Sequence, residues 1–174
     1  RVNRLTAVAL QARVALYMRD WANAITYATE YINALPLSPR ADFTGIWTDA
    51  NTNEVSWRLE RTANIGGRMG SLWRGVSGKS SGGDTLIGTV TWRPSDKLWN
   101  SYDQANDIRF SAYLKDEPML TAAARGSRLI SKYAGQPYTN PDENVAHAKM
   151  FRTGEMYLIR AEARVQQGNA AGAR

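Results

Sequence analysis

The sequence predicts a mainly α chain, built of helical hairpins with short strands and long irregular loops. Three observations predict it. Small and apolar residues recur at helical spacing near both ends, one central segment alternates strictly, and half of all glycines crowd into a single stretch.

Leu5, Ala9, Ala12 and Leu16 fall on one stripe of an amphipathic helix over about Asn3 to Met18. Arg19-Asp20 is a short break. Trp21, Ala24, Ile25, Ala28 and Ile32 form a second stripe, which must stop before Pro36 because proline cannot continue a helix. So short a turn forces the two helices to pack together, and Ala12, Ala24 and Ala28 permit close approach. This small-residue pattern ending in proline is that of a tetratricopeptide (TPR)-like hairpin over residues 1–36. The large aromatic residue expected early in its first helix is missing.

A second helical region is expected from about Arg152 to Gln167, with Gly154, Leu158, Ala161 and Val165 on its apolar stripe. Laying Ala9–Ala24 over Leu158–Ala173 matches Ala12 with Ala161, Leu16 with Val165 and Asp20 with Asn169. That is the spacing of stacked helical hairpins. Gly168-Asn169 punctuates this helix, and Ala170–Arg174 reads as the start of another. With no initiator Met, the chain reads as part of a longer protein, so residues 152–174 are expected to be a hairpin cut short. Leu158 and Val165 are then expected to lack part of their cover.

Between the helices, residues 54–133 read as a strand- and loop-rich insertion. Val55, Trp57 and Leu59 alternate with polar residues, as in a half-buried strand. Seven of the fourteen glycines lie in Gly66–Gly83, a long loop of the kind that usually carries function. Thr85–Trp92 suggests an extended segment. Ser95 is a plausible N-cap for a short helix through Tyr102. Ile108–Leu114 and Leu129–Tyr133 read as short strands.

The composition excludes several chemistries. There is no cysteine, so disulfides, thiolate metal sites and cysteine nucleophiles are absent. The formal net charge is +6, yet the seventeen arginines are scattered rather than clustered as a nucleic-acid surface requires. Gly78-Lys79-Ser80 suggests a phosphate loop, but Trp73 stands where the motif needs its first glycine. His147 is the lone histidine, read as a surface residue, which removes a histidine metal pair. Glycoside hydrolysis needs two facing carboxylates. Asp107 is two residues from Arg109 and reads as an ion pair. Glu155 and Glu162 sit among Arg152, Arg160 and Arg164 and read as a structural charge network. No catalytic residue, metal site or cofactor is expected, and the chain reads as a non-enzyme.

Several segments, taken in order, resemble the SusD/RagB family of surface nutrient-binding lipoproteins. Arg152-Thr153-Gly154-Glu155 through Ala161-Glu162-Ala163 is similar to the family's C-terminal helix pattern. Lys132-Tyr133 resembles its short Lys-Tyr strand, and Pro94-Ser95 followed by Asp107-Ile108-Arg109 its Pro-Ser helix and Asp-x-Arg segment. Glu54-Val55-Ser56-Trp57 resembles its Glu-Val strand, and Ala9–Ala28 the preceding hairpin. The resemblance implies one domain fragment over 1–174, from the middle-to-C-terminal part of such a protein. It further implies non-catalytic binding of a glycan or other nutrient at the outer-membrane surface. Delivery would be to a TonB-dependent (SusC-like) barrel transporter, with any lipid anchor outside these residues. A TPR-type protein-interaction module without sugar binding is the alternative, and a glycoside hydrolase a further one.

Sugar binding without catalysis needs flat aromatic faces with polar groups beside them. Trp21, Trp57 and Trp99 read as core, and Trp47 as packed under the Gly45 turn. Trp73 and Arg74 in the glycine-rich loop, and Trp92 beside Arg93, are the candidate ligand-binding residues. The stretch Arg58–Arg93 holds six basic residues (Arg58, Arg61, Arg68, Arg74, Lys79, Arg93) against Glu60 and Asp84, a local +4 suited to anionic sugars or an acidic partner.

Overall fold

The structure is a computed structural model, and it describes residues 2–61, 77–79, 85–87, 93–116, 127–135 and 146–174. The chain divides into two compact units. One comprises Arg1–Pro39, Thr52–Leu59 and Ala148–Arg174; the other comprises Arg40–Asn51 and Glu60–His147.

The first unit opens with α1 (Arg4–Tyr17) and α2 (Trp21–Ala34). Asn3 and Thr6 cap α1 reciprocally: Thr6 N donates to Asn3 Oδ1 at 2.9 Å, and Asn3 N donates to Thr6 Oγ1. Asp20 caps α2 by accepting from Asn23 N. Arg19 makes the turn at φ 60°, so the hairpin reverses within three residues. The helix α6 (Thr153–Gln166) packs on α2 and touches α1. One core joins the three helices: Ala9, Ala12, Ala24 and Ala28 are fully buried beside Tyr31 and Met156. Alanine at these contacts is what lets the backbones approach. Replacing Ala24 by Leu is expected to cost about 1–3 kcal/mol through overpacking. Chemical denaturation measures it, and an unchanged midpoint would contradict the close contact.

The apolar stripe of α6 is not the expected one. Met156, Ile159 and Ala163 are buried, whereas Leu158 is 72% and Val165 52% exposed. The core selects the face that reaches α2, and both faces of this helix are apolar enough to satisfy a periodicity argument. The helix ends as expected: Gly168 takes φ +80°, and Asn169 N donates to the Arg164 carbonyl. A single 3-10 turn, Ala171–Ala173, follows.

The strand β1 (Val55–Leu59) pairs antiparallel with β6 (Ala148–Arg152). Register irregularities on either side of Trp57 break the simple alternation. Trp57 is thus partly buried and stacks on Phe151 at 6.1 Å, while Leu59 turns out to solvent. Glu54, just before β1, is only 3% exposed and sits at φ 54°. Its Oε2 accepts from Gly154 N at the start of α6, its Oε1 accepts from Ser38 N, and Arg152 lies 3.6 Å away. Its carbonyl accepts from Thr153 N, and the Thr153 hydroxyl donates to the Leu35 carbonyl. One buried carboxylate therefore ties the exit of α2, the entry of β1 and the start of α6.

The second unit contains a 3-10 turn at Arg40–Asp42, then α3 (Phe43–Trp47), α4 (Asp96–Asn100) and α5 (Ile108–Tyr113). Two short antiparallel pairs join them: β2 (Ser77–Lys79) with β3 (Thr85–Ile87), and β4 (Leu114–Asp116) with β5 (Arg128–Ile130). Gly78-Lys79 lies in β2, a strand rather than a phosphate loop. Ser95 caps α4 as expected, accepting from Leu98 N. The expected strand at Ile108–Leu114 is instead helical up to Tyr113. Asp107 accepts from Arg109 N and starts the helix, and the alternation of Ile108, Phe110 and Ala112 is too short to specify a strand. The expected strand at Leu129–Tyr133 ends at Ile130; Tyr133 turns the chain at φ 63°. Gly45 lies inside α3 rather than in a turn.

Candidate functional site

The candidate ligand-binding residues Trp73, Arg74 and Trp92 lie outside the described residues. So does most of the basic stretch around them. Where the chain enters that stretch, Arg61 N donates to His147 Nδ1 at 3.1 Å, and His147 N donates to Asp49 Oδ2 at 2.9 Å. His147 is half-buried and held by main chain, not a free surface residue as expected.

The other tryptophans, all among the described residues, pack. Trp47 is 1% exposed, with Tyr113 and Tyr133 edge-on at 5.2 and 5.1 Å and Phe43 at 6.2 Å. Lys132 Nζ sits 4.6 Å from the ring centres of both Trp47 and Tyr113 and 5.7 Å from that of Tyr133. The Lys-Tyr pair thus fills an aromatic box contributed by α3, α5 and its own segment. Trp99 is nearly buried, edge-on to Phe110 at 4.9 Å. Arg128 lies 4.6 Å over its ring and pairs with Asp96 at 2.7 Å. Trp21 packs against the core of the first unit.

The carboxylates are tied into structure. Arg109 Nη2 lies 2.6 Å from Asp107 Oδ2, and the pair is bidentate through Nε, as expected of an ion pair. Asp103 Oδ1 accepts from Ala105 N and Asn106 N. Glu155 does not join Arg152, Arg160 and Arg164. Its partner is Arg13, whose Nε and Nη2 donate to it at 2.7 and 2.8 Å while Nη2 also donates to the Met150 carbonyl. Arg152 instead faces Glu54, Arg160 stacks on Tyr157, and Arg164 donates to the Gly172 carbonyl. A general acid for glycoside cleavage needs a raised pKa. Asp103 and Asp107 move the other way, lowered by hydrogen bonds from Asn106 and Arg109. Among the described residues no group of three His, Cys, Asp or Glu could hold a metal ion, and no helix is long and apolar enough to cross a membrane.

Asp107 has a definite pH signature. Hydrogen bonds from Arg109 bring it from the ordinary 3.8 down to about 2. A depressed folded value contributes stability that is present above the unfolded pKa and lost as pH falls through the folded one. The Asp107 carboxyl resonance is therefore expected to titrate near pH 2 in an NMR series. Arg109→Ala should return it toward 3.8, and a midpoint near 3.8 in the unaltered chain would contradict the pairing.

The first unit also carries an open groove of about 340 Å³ beside α1 and α2, lined by Leu10, Val14, Met18, Asp20, Asn23 and Tyr27.

No protein-family model matches the sequence, and no curated protein matches it significantly. Solved structures do match. A SusD superfamily protein from Bacteroides thetaiotaomicron shares 24% identity, with a TM-score of 0.69 over 99% of this chain and 39% of that one. Surface glycan-binding protein A from Bacteroides uniformis shares 18%, with a TM-score of 0.68 over 97% of this chain and 39% of that one. A laminarin-binding SusD-like protein shares 16%, with a TM-score of 0.71 over 99% of this chain and 46% of that one. The chain has the SusD-like fold, and it spans less than half the length of each of these proteins.

Proposed function

We propose that the chain belongs to a non-catalytic protein that binds glycan at the outer-membrane surface and hands it to a TonB-dependent, SusC-like barrel transporter. The observation that carries this reading is the shared fold over 97–99% of the chain with proteins named for glycan and laminarin binding. The tied-down carboxylates favour binding over cleavage, because Asp103 and Asp107 each serve a local structural bond and Glu155 a structural pair with Arg13. A glycan array run beside a hydrolysis assay tests the reading. Binding without turnover is expected; turnover of a bound sugar would overturn it.

Trp73, with Arg74 and Trp92, is proposed to contact the sugar. Stacking on one indole contributes roughly 0.5–1.5 kcal/mol beyond the area it buries. Trp73→Ala should then weaken glycan binding about two- to tenfold while leaving the melting temperature nearly unchanged. Titration calorimetry and a thermal melt measure the two quantities. A melt that collapses while affinity per folded molecule holds would remove Trp73 from the site.

A further inference from the structure

The second unit consists of two stretches, Arg40–Asn51 and Glu60–His147, and three of their four ends meet at one histidine. Arg61, at the start of the long stretch, donates its main-chain N–H to His147 Nδ1 at 3.1 Å. A strand would offer a carbonyl to such a donor; here the acceptor is a ring nitrogen. His147, at the end of the same stretch, donates its own N–H to Asp49 Oδ2 at 2.9 Å. Asp49 lies two residues past α3 and takes the left-handed conformation at φ 58°. Arg61 and His147 are both half-buried.

An acceptor of this kind depends on its proton. A carbonyl accepts at every pH, whereas a ring nitrogen accepts only through its lone pair. A proton on Nδ1 turns the acceptor into a donor, which then faces the donor of Arg61, and the bond is lost. The charged side chains within three residues of these contacts along the chain are Asp49, Arg58, Glu60, Arg61 and Lys149. Carboxylates and basic side chains ordinarily keep their charge between about pH 5 and 8, and histidine is the residue type that ordinarily changes it there. Asp49 is already bonded to His147, and its carboxylate gives an imidazolium an anion to turn to.

We propose that His147 is a proton-operated clasp on the second unit. Neutral, it holds the entry of the Glu60–His147 stretch to its exit; protonated, it lets go of Arg61 while its main-chain bond to Asp49 persists. The clasp stands apart from glycan binding and requires no sugar.

His147 is the only histidine of the chain, so its ring resonances are unambiguous. Two-dimensional NMR of the full chain from about pH 8 to pH 5 follows the ring and the amides together. The Arg61 amide should shift with the same midpoint as the ring. Its protection from exchange, corrected for the intrinsic rate, should fall about three- to tenfold, the equivalent of one hydrogen bond. Gly154 N, which donates to the Glu54 carboxylate, should keep its protection through the same range. His147→Asn offers an amide oxygen that cannot titrate, so Arg61 should then stay protected at every pH of the series. His147→Leu removes the acceptor and should leave Arg61 unprotected throughout; if that variant does not fold, the unaltered chain and His147→Asn decide. An Arg61 amide that ignores the titration of the ring, or one that keeps its pH dependence in His147→Asn, would overturn the proposal.

Discussion

Glu54→Ala is expected to lower the stability of the chain by about 3–5 kcal/mol, the range for removing one partner of a buried, hydrogen-bonded charge pair. The reason is the number of groups that converge on one side chain. Glu54 accepts from Ser38 N and Gly154 N and faces Arg152, and it is nearly inaccessible to water. Alanine would leave two main-chain donors and a guanidinium without the carboxylate. Each buried donor left unsatisfied costs about 1–3 kcal/mol. Nothing local compensates, because the left-handed backbone at this position is no better for alanine than for glutamate. Urea unfolding followed by circular dichroism gives the value. A double-mutant cycle with Arg152→Ala should show a coupling of about 0.5–3 kcal/mol. A loss under about 1 kcal/mol for Glu54→Ala would mean that water replaces the carboxylate, and the tie would then carry little energy.

Glu54 also shows what a sequence can and cannot reveal. The strand that follows it was legible, because alternation is a local signal. That the glutamate is buried was not, since its partners lie at Ser38, Arg152 and Gly154 and no local spacing connects them. The hairpin α1–α2 was legible for the opposite reason: its stripes, its break at Arg19-Asp20 and its alanine contacts are all short-range, although the caps at Asn3 and Asp20 were not read. Periodicity misled in two places. In α6 two apolar faces competed, and only tertiary packing chose Met156, Ile159 and Ala163. In α5 six residues were too few to separate a period of two from one of 3.6, although Asp107 carried the capping signal. Of the candidate site, Trp73, Arg74 and Trp92 fall outside the described residues, so their roles rest on composition and resemblance. The packing of Trp21, Trp57 and Trp99 could be read from their places on helix and strand. The Lys132 box could not, because Trp47, Tyr113 and Tyr133 come from three separate segments.

That box is where the second unit should be most vulnerable. Trp47→Ala is expected to cost about 3–5 kcal/mol, as for a fully buried aromatic side chain cut back to a methyl group. The indole is the common neighbour of Phe43, Tyr113, Tyr133 and Lys132. Removing it deletes three ring contacts, each of about 0.5–1.5 kcal/mol beyond area burial. It also strips one face from the ammonium group of Lys132. Trp47→Phe separates the contributions. It keeps an aromatic wall and much of the buried area, so it should lose about 1–3 kcal/mol, the cost of a partly refilled cavity. Because Trp47 and Glu54 belong to different compact units, each unit can be followed by its own amide signals in hydrogen exchange. Trp47→Ala should first speed exchange at Leu129 and Tyr113, near the box, before it does so at Ala24 or Ile159. Equal acceleration at all four would mean that the two units unfold as one, and the effect of the indole could no longer be assigned to the second unit alone.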